Sequence, residues 1–97
     1  MCKTEIFADI LDTVSKETEI PKERILSESK DAEVVDARYI LVKLLTDTGM
    51  YPSQIASKIN KTRRAVNYII SNFSNRETAG KMLRIYLDNI KKRLGNR

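Results

Sequence analysis

Apolar residues recur along this chain at intervals of three and four, and prolines, glycines and polar runs divide them into helices. Ile6, Phe7, Ile10, Leu11 and Val14 form one stripe with Asp9 and Asp12 on the opposite face, which predicts a helix over about Lys3 to Lys16. Ile20-Pro21 breaks that pattern, because the residue before a proline avoids the helical region. Pro21 then suits the first position of a short helix reaching about Leu26, with Ile25 and Leu26 closing the core. Ser27 to Ala32 reads as a polar connection. From about Glu33 to Asp47, apolar residues cover most of the helical circumference, interrupted by Arg38 and Lys43, so this is the expected central helix. Thr48-Gly49 ends it, with Gly49 suited to a left-handed closing position.

The stretch Pro52 to Ser71, PSQIASKINKTRRAVNYIIS, carries a more specific layout. Ile55, Ile59, Val66 and Ile69 are its inward positions, and the small Ala56 permits two helices to cross closely. Asn60 tolerates the left-handed backbone that a tight turn between helices needs. This is the spacing of a helix-turn-helix, with one helix to about Ile59 and a second opening at Lys61-Thr62, Thr62 being the expected N-cap. The second helix has Val66, Ile69, Ile70 and Phe73 inward and Arg63, Arg64, Asn67, Tyr68 and Ser71 outward, and is expected to close near Asn75. A last amphipathic helix is predicted over about Glu77 to Leu94. The fold expected is all-α, a bundle of about six helices in a single domain spanning 1–97.

Charge sharpens this picture. The net charge is +5, but residues 1–20 sum to −3, 21–50 to −1 and 51–97 to +9, so the positive charge gathers in the half that holds the helix-turn-helix. A one-sided basic surface attracts polyanions. With one cysteine, Cys2, and no histidine, neither a zinc site nor a histidine-based catalytic dyad can be built, and no metal or other cofactor is expected. No run reaches the length of a membrane span and Met1 to Ile10 has no signal-peptide shape, so a cytoplasmic protein without membrane contact is expected. Nothing resembles a paired-carboxylate site with a base, which argues against an enzyme.

The expected partner is therefore double-stranded DNA. Arg63 and Arg64 are the candidates for base contact, since a guanidinium can grip O6 and N7 of guanine with two hydrogen bonds; the alternative is solvated charge or phosphate contact alone. Asn67, one turn on, either reads adenine or is merely exposed. Tyr68 is expected to pack against the long helix, with phosphate contact the alternative. Lys58, Lys61 and Thr62 border the turn and are assigned to phosphates, as are Ser53 and Gln54 at the start of the preceding helix, although Ser53 also fits an ordinary N-cap. The run Lys91-Lys92-Arg93 is read as a favourable charge at a helix C-terminus. A homodimer is possible but not indicated, because no leucine-zipper stripe occurs.

Three stretches resemble the C-terminal DNA-binding domain of the bacterial chromosomal replication initiator DnaA: ETEIPKERILS, EVVDARYILVKLL and PSQIASKIN, in that order across about Ile6 to Leu94. The resemblance implies a helix-turn-helix fold, and it implies phosphate contact for Arg38, whose alternative is an ion pair with Asp36 or Glu33. At the recognition helix the family signature reads G-G-R-D-H-T-T-V, whereas this chain has Asn60-Lys61-Thr62-Arg63-Arg64-Ala65-Val66, so its base-reading chemistry is expected to differ. No G-x-x-x-x-G-K-[ST] loop occurs, and the expectation is a free-standing relative of the DNA-binding module without ATP hydrolysis, serving replication initiation or transcription control. A module that binds another protein, and an RNA-binding protein, are the competing readings.

Overall fold

A helix with apolar residues round most of its circumference has to be enclosed, and the segment Ala32–Asp47 is. In the computed structural model, which describes residues 3–95 (of Lys3 the backbone only), it is the third of six helices. These are α1 Lys3–Thr18, α2 Lys22–Ile25, α3 Ala32–Asp47, α4 Pro52–Ile59, α5 Arg63–Ala79 and α6 Lys81–Gly95, with no strand among the described residues. Cys2 and Arg97 lie outside the described residues. α3 packs against each of the other five helices, and its Val34, Ala37, Ile40, Leu41, Val42 and Leu45 are fully buried. Around it close Val14 of α1, Ile25 of α2, Ile55 and Ile59 of α4, Val66 of α5, and Leu83 and Ile90 of α6. The architecture is the expected all-α bundle of six helices. No helix among the described residues is long and apolar enough to cross a membrane.

The punctuation follows backbone chemistry. Gly49, at φ 94, closes α3 in a Schellman arrangement: the Gly49 N–H reaches Thr46 O, the Met50 N–H reaches Leu45 O, and the Met50 side chain folds into the core. α1 runs past Lys16 to Thr18 and turns at Glu19, whose φ is 60. Pro21 is the residue before α2 rather than its first helical residue, with ψ 144.

The boundary between the last two helices departs from the sequence expectation. α5 does not close near Asn75 but continues to Ala79, and α6 begins at Lys81 rather than about Glu77. Arg76 explains the continuation. It occupies the inward position one turn beyond Phe73, where its Nε donates to Asp36 Oδ1 at 2.6 Å and its guanidinium lies 5.0 Å from the centre of the Tyr39 ring. An ion pair thus replaces the apolar contact that the periodicity looks for. The break falls at Gly80, where a Cβ would lie 3.1 Å from Arg76 O.

Candidate nucleic-acid interface

The α4–α5 pair is set by three short-range devices. Gln54 Oε1 accepts the Tyr51 N–H at 2.9 Å, fixing the entry to α4 behind Pro52. Asn60 takes the left-handed conformation (φ 56, ψ 46), and the Lys61 N–H reaches back to Ala56 O at 3.0 Å. Thr62 then caps α5, its Oγ1 accepting the Ala65 N–H at 3.0 Å. Ala56 is buried, and α4 packs against α5 and α3. Thr62→Ala is expected to cost about 1 kcal/mol of stability in a denaturant titration, with the helix content of the native state unchanged.

With the cap in place, Arg63 and Arg64 are the first two residues of α5, and both are exposed. Neither makes an ion pair or hydrogen bond with the described residues. At 100° per residue, Arg64 and Ser71 point directly away from the buried Val66–Phe73 stripe, flanked by Asn67 on one side and Tyr68 on the other. All four are exposed, and the only carboxylate of α5 is the half-buried Glu77. Arg64 to Ser71 spans about 10 Å of helix axis, comparable with a major groove about 12 Å wide. Tyr68 is 63% exposed and stands on the outward side, as its place on the outer face of the helix suggests, rather than packing closely against α3.

The other sequence candidates are held more tightly. Arg38 is neither free nor paired with Asp36 or Glu33. Its Nε donates to Ile25 O at 3.0 Å, Nη2 to Ser27 O at 2.6 Å, and Nη1 and Nη2 both to Ser29 O at 3.3 Å, so the guanidinium ties the loop between α2 and α3 to α3. Asp36 is taken by Arg76. Burial pulls the Arg38 guanidinium below its ordinary value, and the Glu28 carboxylate opposes that shift. Lys61, from the α4–α5 turn, is bonded to the same loop: its Nζ donates to Ser27 O at 3.1 Å and lies 3.9 Å from Glu28 Oε1, and its side chain is only 17% exposed. Lys58 Nζ donates to Thr4 Oγ1 at 2.8 Å, joining α4 to the start of α1. Ser53 is exposed inside α4, where the N-cap position belongs to Tyr51. Ser53, Gln54, Ser57 and Lys58 line one shallow depression on α4.

A groove missed at the sequence level lies beside the first two turns of α5. The α2–α3 loop supplies Lys30, α3 supplies Val35 and Tyr39, and α5 supplies Ala65 and Tyr68. Tyr39 hides in the apolar run of α3, and its one sequence signal is its hydroxyl, a polar handle inside a buried helix. No protein-family model matches the chain, and no curated protein matches it.

Proposed function

We propose that this protein binds double-stranded DNA through α4 and α5, with the outward face of α5 in the major groove, and that it is sequence-specific and not an enzyme. The observation that carries the reading is Arg63 and Arg64 at the opening of a capped, carboxylate-free helix face, exposed and without partners among the described residues. Among the other exposed arginines of the described residues, Arg24 pairs with Asp31 and Arg93 with Glu17, while Arg84 of α6 is also without an ion pair, so what marks Arg63 and Arg64 is their adjacent place at the opening of α5. A cation that finds no carboxylate on its own fold is available for a phosphate or a guanine edge. Asn67 adds a side chain able to bond adenine N6 and N7. Thr62, Lys61, Lys58, Ser53 and Gln54 supply the border from which phosphates fix register. The three stretches that resemble the replication initiator's C-terminal domain support the same reading, that of a cytoplasmic relative of that module.

The test is a salt series. Anisotropy titrations of a labelled duplex, chosen from a random pool by selection, should give log Kd rising with log salt at a slope near 4.5 if ~5 phosphates are neutralised. A flat series, or equal retention of duplex RNA, would exclude the proposal.

A further inference from the structure

The groove beside α5 holds a group whose chemistry is unspent. Tyr39 is 8% exposed, its side chain lines the groove, and its hydroxyl makes no hydrogen bond with any described residue. No buried side-chain polar atom among the described residues lacks a partner, so this hydroxyl is reached by solvent at the groove floor and can donate to a ligand without breaking a bond of the fold. Across the groove stands Tyr68, 63% exposed and likewise without a bond from its hydroxyl. Lys30 is exposed on the third side, without an ion pair among the described residues. Burial raises the Tyr39 phenol above its usual value, the Tyr68 phenol adds to the shift and Arg76 opposes it, so Tyr39 stays a protonated donor at neutral pH.

Much of the lining is apolar, from Val35, Ala65 and Ile69, and with Arg38 and Lys61 bonded to loop carbonyls the donors left to a ligand are Lys30 and the two phenols. The lining's one carboxylate, Glu28, has a side chain 95% exposed, and Lys61 Nζ at 3.9 Å offsets its charge. The trough continues past Lys61 to Asn60 and Thr62 at the turn, so it is an open channel along the flank of α5 rather than a closed pocket. A channel of this form suits a chain of phosphates better than a single ion, and the strands that border a major groove are such chains.

We propose that this groove seats the phosphodiester backbone of one strand of the duplex whose major groove α5 enters, with the Tyr39 and Tyr68 hydroxyls and the Lys30 ammonium donating to one or two adjacent phosphates. The proposal rests on the duplex-binding reading above and adds to it the strand's path and two phenols that composition alone does not single out.

Tyr39→Phe and Tyr68→Phe each remove one oxygen and preserve the ring. Each variant is expected to bind the selected duplex roughly tenfold more weakly, the loss typical of a hydrogen bond to a charged group. Tyr39→Phe should melt no earlier than the parent protein, because its hydroxyl has no partner in the free fold. Ethylation interference on the parent complex should mark phosphates on one strand whose signal fades in both variants. Parent-like affinity with an unchanged interference pattern would overturn the groove and leave duplex binding standing. Failure of the parent protein to bind any duplex would overturn both.

Discussion

Replacing Arg63 and Arg64 together by glutamate is expected to remove duplex binding while leaving the fold as stable as before, or more so. Both arginines sit in the first turn of α5, immediately after the Thr62 cap, and that turn contains no acidic residue. The first turn is where the helix dipole is positive, so two cations there are unfavourable and two carboxylates favourable by about 0.3–1 kcal/mol each. The arrangement makes little sense for stability, since no carboxylate among the described residues answers either charge, and it is the arrangement needed to present cations to an anionic surface. Loss of two base or phosphate contacts at about 1–3 kcal/mol each, compounded by repulsion between the new carboxylates and the phosphates, predicts a fall in affinity on the order of a hundredfold or more. Anisotropy titrations measure the first effect and thermal denaturation followed by circular dichroism the second. A variant that still binds with the parent's affinity would remove α5 from the interface. A variant that melts many degrees earlier would assign the arginines to the fold instead.

The sequence discloses local devices well and distant partners poorly. Thr62, Asn60 and Gly49 act within four or five residues of themselves, so their types and spacing are enough to place a cap, a left-handed turn and a Schellman end. The inward stripe of α5, Val66, Ile69 and Phe73, is legible for the same reason, because periodicity is a local property. What the pattern cannot carry is a polar residue whose partner comes from elsewhere. Arg76 satisfies an inward position through Asp36, forty residues upstream, and the helix therefore runs on where the apolar stripe gives out. Helical spacing places Tyr68 on the outer face, where it stands, but its ring and hydroxyl suit contact with α3 and with solvent alike, and spacing does not decide between them. Of the candidate site, Arg63, Arg64 and Asn67 are placed on the surface as the sequence suggests, whereas Lys58 and Lys61 are bonded into the fold as well as bordering the turn.

Arg38 shows the same difference most sharply. Resemblance assigns it to phosphate; the geometry gives it four hydrogen bonds to three backbone carbonyls of the α2–α3 segment, at Ile25, Ser27 and Ser29. Those carbonyls have no helical or sheet partner of their own in that loop, and the rigid fork of a guanidinium can serve all three at once. Arg38→Met keeps much of the side-chain bulk and abandons the carbonyls. The expected cost is about 2–4 kcal/mol, from lost bonds to a charged group and from the Ile25 and Ser29 carbonyls left unpaired, Ser27 O keeping Lys61. For a domain of this size that corresponds to a melting temperature lower by on the order of 10–20 °C. Arg38→Lys retains the charge without the fork, and should recover only a minor part of the loss. The DNA measurement, made at a temperature where every variant is folded, separates the two roles. A clamp leaves the salt slope of binding unchanged in Arg38→Met. A phosphate ligand lowers that slope by about 1 in Arg38→Met, preserves it in Arg38→Lys, and leaves the melting temperature near that of the parent protein. The hydrogen bonds on Arg38 favour the first pattern, with the guanidinium holding the loop that forms one wall of the groove beside α5.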